Sequence, residues 1–144
     1  MLKVTSILAY AGMAGAILAL IAMKLFFSPH PLVIGVQIGA LALMVWARVV
    51  FGIRSFHAAA TPTKGGLVTS GPYRYIRHPI YTAACLLGWA GALAHFSAKA
   101  LLCGVVLIVC AVVRMQCEER LVAATYPEYV HYKDRTWRMI PYVY

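Results

Sequence analysis

Four long apolar runs, at about residues 7–27, 32–53, 80–96 and 98–113, dominate the chain and constrain what it can fold into. None alternates with the period of a strand, and inside a bilayer only helices and closed barrels satisfy every backbone hydrogen bond. The first two runs are comfortably long for a crossing, and the last two stand near the lower limit of about 17 residues. Composition agrees, with 62% hydrophobic residues and 12% charged ones, where an average soluble domain carries about 25% charge. The expected fold class is all-α integral membrane, with four transmembrane helices in two hairpins. A chain of 144 residues favours one domain. Within it, residues 1–53 form a first hairpin, 54–79 a loop, 80–113 a second hairpin and 114–144 a polar tail.

Where the charges fall decides what they mean. The formal net charge is +9, from thirteen Lys and Arg against four acids, a balance that would suit nucleic-acid binding. Here, however, the cations sit in short segments between apolar runs. Arg54, Lys64, Arg74 and Arg77 lie in the central loop, and Arg114, Arg120, Lys133, Arg135 and Arg138 lie in the tail. The positive-inside rule accounts for that placement and puts loop and tail together on the cytoplasmic side, so no nucleic-acid partner is expected. With four crossings both termini are cytoplasmic. Lys3 before an apolar run resembles the start of a signal peptide, but the run is too long and leads directly into a second span.

Smaller features read as packing. Cys85, Cys103, Cys110 and Cys117 contain no C-x-x-C pair and no metal-ligand spacing, so no metal site is expected. The last three recur every seven residues and share one helix stripe. Gly35 and Gly39 form a G-x-x-x-G spacing that permits close helix contact. Gln37 and Arg48 are polar residues inside the second run; the first points to burial in the bundle, and the second can snorkel toward its end. Beyond residue 113 the fourth helix is expected to continue to about Thr125, with a short helix after Pro127 that presents Tyr129, Tyr132 and Arg135.

Chemistry concentrates in two places. In Gly71-Pro72-Tyr73-Arg74-Tyr75-Ile76-Arg77-His78-Pro79-Ile80-Tyr81, the residue before proline is kept extended and Pro79 suits the first helical position. The amides that follow, those of Tyr81 and Thr82 among them, lack acceptors one turn back. Beside Arg77 and His78 they offer a carboxylate or phosphate site; a basic interfacial anchor accounts for the same residues structurally. The second place is Arg114-Met115-Gln116-Cys117-Glu118-Glu119. Arg114 and Glu118 share a helix face and can form a local ion pair worth about 0.3 kcal/mol. Two adjacent carboxylates equally suit an ammonium on a ligand. Tyr73, Tyr75, Tyr81, Tyr126, Tyr129 and Tyr132 add ring faces able to hold a cation or stack on a heterocycle, or to anchor at an interface.

These two stretches carry a family resemblance. Leu67-Val68-Thr69-Ser70-Gly71-Pro72-Tyr73 followed by Arg77-His78-Pro79-Ile80-Tyr81 resembles the signature of isoprenylcysteine carboxyl methyltransferases. Glu118-Glu119-Arg120-Leu121, with Tyr129, Tyr132 and Pro141, resembles that family's C-terminal motif, shared loosely with phospholipid methyltransferases. The resemblance spans about half the chain. It implies S-adenosylmethionine as cofactor, with the tail helping to form its site. Gly65, Gly66, Leu67, Val68, Tyr73, His78, Pro79, Ile80, Tyr81, Glu118 and Glu119 are the implied cofactor contacts. Arg114 would face the substrate, and Arg114, Glu118 and His78 would carry catalysis. The implied partner is a lipid or prenyl-bearing acceptor, methylated on a carboxylate.

A carboxylate acceptor is already ionised and needs no base, whereas an amine must lose a proton to a group such as Glu118, Glu119 or His78. N- or S-methylation of a phospholipid or small hydrophobic molecule is therefore the nearest alternative. A small four-helix transporter is another, although the first three runs contain no acid of the kind proton-coupled carriers use. A non-catalytic membrane subunit is the third.

Overall fold

The computed structural model describes residues 1–52 and 66–144. The described chain is helical: α1 (Leu2–Ala22), α2 (Pro31–Phe51), α3 (Pro79–His95), α4 (Ala98–Thr125) and the short α5 (Tyr129–Asp134), with a 3-10 turn at Gly71–Arg74. Among the described residues three helices, α1, α2 and α4, are long and apolar enough to cross a membrane. The expected fourth span is α3, which is helical over 17 residues and does not belong to that set.

Local chemistry sets most boundaries. Pro31 and Pro79 occupy first-turn positions in α2 and α3, where a missing N–H costs nothing. The ring of His30 accepts from the Leu32 amide and caps α2, and Ser97 caps α4 through the Ala100 amide. α1 begins at Leu2, five residues before its apolar run, and so includes Ser6, whose carbonyl and hydroxyl accept from Arg114. α4 runs on to Thr125, as the tail's change of character suggests. At 28 residues and 1.5 Å per residue it is about 42 Å long, more than a hydrocarbon core of about 30 Å. Its polar end from Arg114 onward therefore lies past the apolar segment. The short tail helix starts at Tyr129, two residues later than Pro127 suggests, after a turn at Pro127 and Glu128.

The helices run alternately up and down. Consecutive helices pack together in two cases, α2 on α3 and α3 on α4, but α1 packs chiefly on α4, the helix farthest from it among these four in sequence. α1 and α2, although joined by a short turn, thus lie on different partners. Leu107, Ala111 and Met115 of α4 meet Met13 and Ala16 of α1 and Ala84 and Cys85 of α3 in one core. Leu20, Phe26, Ala92 and Ala100 form another at the opposite end.

Close helix approach is made by other glycines than the two in the G-x-x-x-G spacing. A Cβ on Gly35 or Gly39 would meet nothing within 4 Å, so those residues face outward and the expected contact there is not formed. Instead, a Cβ on Gly91 of α3 would lie 2.2 Å from the Phe26 carbonyl oxygen, and one on Gly12 of α1 would lie 2.6 Å from Cys110 Sγ. The cysteine stripe of α4 does pack, with Cys117 buried and Cys110 against α1.

At the far end from the 3-10 turn, Gln37 Nε2 donates to the carbonyls of Phe26 (2.7 Å) and Leu87 (3.3 Å). His95 Nε2 lies 2.8 Å from the Phe27 carbonyl oxygen. These bonds tie the end of α3 to the turn between α1 and α2. At the other end the chain terminus folds back. Arg77 N donates to Trp137 O (2.8 Å), Trp137 N to Tyr75 O (3.0 Å) and His78 N to Arg138 O (3.1 Å). That short ladder lays the tail along the entrance of α3.

Candidate functional site

The entrance of α3 and the polar end of α4 meet. His78 lies between the two adjacent acids, its Nε2 3.1 Å from Glu119 Oε1 and its Nδ1 3.8 Å from Glu118 Oε2. The backbone before Pro79 is extended in φ, and that places the ring outside the helix and against α4. Two sequence stretches separated by some forty residues thus form one polar cluster, almost sealed beneath the tail.

The acids differ in what holds them. Glu119 is buried, and both of its oxygens are satisfied: Oε1 accepts from Arg77 Nε (3.2 Å) and Arg138 Nε (3.0 Å) besides facing His78, and Oε2 accepts from Arg138 Nη2 (2.8 Å). Burial alone would raise its pKa, but hydrogen bonds from His78 and Arg138 outweigh it and hold the carboxyl well below the usual carboxylate range. Glu118 is more open, its side chain 24% exposed. Its Oε1 accepts from the Tyr81 hydroxyl and pairs with Arg114 Nη2 at 3.1 Å. Its Oε2 has only the His78 ring at 3.8 Å, too far for a hydrogen bond. Among the described residues Glu118 therefore brings the unsatisfied anionic oxygen of the cluster.

Arg114 joins three helices. Its Nε donates to the Tyr81 hydroxyl of α3 (2.6 Å), its Nη1 to the carbonyl (2.9 Å) and hydroxyl (3.0 Å) of Ser6 on α1, and its Nη2 pairs with Glu118. The Tyr10 ring lies 4.9 Å below the guanidinium. The local ion pair expected from the spacing of Arg114 and Glu118 is present. It is far better buried than an exposed helix pair, since Arg114 is 3% exposed.

Tail and loop close the site from above. Arg77 Nη1 donates to the carbonyls of Lys133 and Thr136, Tyr132 donates to the Tyr73 carbonyl at 2.7 Å, and Thr82 Oγ1 donates to Met139 O at 3.0 Å. Tyr73 is buried in the 3-10 turn, its ring 5.4 Å from that of Phe51. Burial first, then the neighbouring Tyr132 and Glu118, push its phenol well above the ordinary value. Glu118 is thus near enough for its charge to act on the Tyr73 phenol. Gly71 lets the turn seat on α2, because a Cβ there would stand 2.7 Å from a Val50 methyl, and its φ of 57° is a glycine conformation.

Of the residues singled out from sequence, Tyr73, His78, Pro79, Tyr81, Arg114, Glu118 and Glu119 are brought together, with Ile80 in the same first turn of α3. Gly66, Leu67 and Val68 precede the 3-10 turn without secondary structure. Gly65 lies outside the described residues. One expectation is corrected: the Thr82 amide is not free, since it donates to the His78 carbonyl at 3.0 Å. The amides of the first turn without an acceptor one turn back are those of Ile80 and Tyr81. Three participants were not anticipated: Ser6 and Tyr10 on α1, and Arg138 as the partner of Glu119. Ser6 and Tyr10, four apart and so on one face of a largely apolar helix, are the signal that could have revealed the α1 contribution.

Fold and cluster together define a multi-pass helical membrane protein with a polar site built at one end of its bundle. The family model for phospholipid methyltransferases matches residues 31–129, more than half of the chain, and the protein belongs to that family of methyltransferases. The matched span includes α2, the central loop, the His-Pro entrance and the paired acids. Neither a curated protein nor a solved structure matches the chain.

Proposed function

We propose that the protein transfers a methyl group from S-adenosylmethionine to a lipid-like acceptor at the cytoplasmic membrane face, with carboxyl O-methylation as its chemistry. The observation that carries this reading is the open Glu118 Oε2 beside His78 and the first turn of α3. A half-open carboxylate suits the ammonium of the donor, and the Ile80 and Tyr81 amides suit its carboxylate. Tyr73 and Tyr81 supply aromatic faces for the cationic and heterocyclic parts. The residues fit the group. When bound, it supplies an electrophilic methyl on a sulfonium.

The chain's own contribution is alignment and exclusion of water, which can provide much of the acceleration of a displacement. Glu119 is too strongly stabilised as an anion to act as a base, so base strength in this site is limited to Glu118 and His78. An acceptor that is already ionised needs neither, and this favours a carboxylate. Arg114 would orient it, although doing so means exchanging one of the guanidinium's present bonds. Amine methylation of a phospholipid is the second reading, favoured by the name of the matched family.

Four crossings, with α3 as the fourth, would suit the same picture. α3 starts beside the polar end of α4 and finishes against the α1–α2 turn, so it runs from the site's end of the bundle to the opposite end. Both termini then lie at the site's end, where the concentration of cations favours the cytoplasm.

Membranes containing the protein, incubated with methyl-labelled S-adenosylmethionine, should yield labelled lipid-like product. Label released by mild alkali identifies an ester, and label retained identifies an N-methyl product. Glu118→Ala and His78→Ala should each abolish labelling while the protein remains inserted. Normal labelling by both variants would sink the site assignment.

A further inference from the structure

At the end of the bundle remote from the acids, a groove of about 550 Å³ opens between the α1–α2 turn, α2 and α3. Its walls include Phe26, Phe27, Ile38, Leu41 and Leu87, with Gln37 among them. Ile38 and Leu41 are exposed on α2 and Phe27 on the turn, so the groove is open sideways, toward lipid in a membrane-embedded bundle. The volume falls within the range of about 300–1,000 Å³ usual for small-molecule sites.

Gln37 makes this groove chemically selective. The residue is 9% exposed, and both of its amide hydrogens are committed, to the carbonyls of Phe26 and Leu87. Those acceptors fix the orientation of the amide, since a flipped group would set oxygen against oxygen. The Gln37 carbonyl oxygen accepts no hydrogen bond from a described residue, and it is not among the sealed, unpartnered atoms of the interior. It is thus an open acceptor on a wall whose one other polar side chain among the described residues, Ser28, accepts from the His30 amide. An acceptor left unmade at low dielectric is costly, and a donor that reaches it is correspondingly favoured. Among the described residues no Lys, Arg, Asp or Glu lines the groove, so an ionic headgroup would find no counter-charge from them. Gln37 also lies two turns inside α2, about 9 Å from its start, below the depth of a charged headgroup.

We propose that this groove binds a neutral lipid alcohol, a single apolar chain lying along α2 with its hydroxyl donating to Gln37 Oε1. The bound molecule enters from the leaflet opposite the acids, so it is not the methyl acceptor, and the inference goes beyond the catalytic reading. Gln37 already joins the α1–α2 turn to α3, so occupation of the groove braces that end of the bundle.

The full chain, purified in detergent, is titrated with hexadecanol and, separately, with hexadecane, and binding is followed by native mass spectrometry and thermal unfolding. Hexadecanol should bind about 5-fold more tightly than hexadecane, the ratio expected of one hydrogen bond, and should raise the unfolding temperature. Ile38→Trp fills the groove from its exposed wall without touching Gln37. It should weaken hexadecanol binding about tenfold and leave labelling of the methyl acceptor unchanged. Equal binding of alcohol and alkane, or binding indifferent to Ile38→Trp, overturns the proposal. So does a dimer of this chain that protects Ile38, because a second copy would then be the occupant. Loss of methyl transfer on Glu118→Ala with alcohol binding intact separates the two sites.

Discussion

Glu118 and Glu119 are adjacent in sequence and about 100° apart around α4, and that rotation gives them different work. Glu119 is directed at Arg77, His78 and Arg138, so it fastens the tail to the α3 entrance. Glu118 leans on Tyr81 and Arg114 and keeps one oxygen open. Glu119→Gln should therefore cost about 3 kcal/mol of stability, the usual penalty for stripping one partner from a buried ionic cluster, measured by chemical unfolding in detergent. Glu118→Gln should cost less stability and lower kcat/KM by about 10- to 100-fold, the loss expected for a charged hydrogen bond to a ligand. The pH dependence follows the same division. An unfolded glutamate titrates near 4.3, and Glu119 in the fold titrates well below that. In the interval the unfolded chain binds more protons, so the contribution of Glu119 is complete above about pH 5 and is lost as the pH falls toward its folded value. A stability profile of Glu119→Gln should be flatter than wild type over that acid range; parallel profiles would remove Glu119 from the role of fastener.

At the scale of helices, packing is decided by where backbones approach, and sequence spacing alone does not say which glycines these are. The G-x-x-x-G pair of α2 faces outward, while Gly91 holds the turn carbonyls of Leu25 and Phe26 against α3. Gly91→Ala must displace backbone and should destabilise by about 1–3 kcal/mol. Gly35→Ala, with open space around it, should be neutral or stabilising by up to about 1 kcal/mol. Thermal unfolding of the two variants side by side checks the contrast, and equal effects would contradict the packing described. Helix existence was legible because hydropathy and proline positions report on single elements. Helix pairing was not, since apolar runs are interchangeable as partners: Ser6 and Tyr10 mark one face of α1 as polar, but only the structure sets them around Arg114 of α4. In the site, the His-Pro and Glu-Glu stretches were legible as a pair because each is polar against an apolar background. The choice of Arg138 as the partner of Glu119 was hidden, for the tail holds several cations and their distances depend on how the chain turns after Thr125.

The whole molecule is a bundle with two unlike ends, and its topology follows from what each end ties together. Ser6 of α1, His78 at the α3 entrance, Glu118 of α4 and Arg138 of the tail share the polar end. Phe27 of the first turn and His95 of α3 share the other. If α1 and α2 cross the bilayer, their turn lies on the far side, and the bond from His95 requires α3 to reach it. α3 has 17 residues, about 26 Å of helix, slightly short of an average hydrocarbon core of about 30 Å. Modest local thinning of the bilayer accommodates such a mismatch at fractions of a kcal/mol per Å. Epitope tags placed before Met1 and after Tyr144 should therefore both be accessible only from the cytoplasmic side of sealed vesicles. A tag inserted at Ser97, in the α3–α4 turn, should be accessible only from the opposite side. A Ser97 tag found on the same side as the termini would mean that α3 does not cross. The contact between its end and the α1–α2 turn could not then exist in the membrane, and the groove around Gln37 would lose one of its walls.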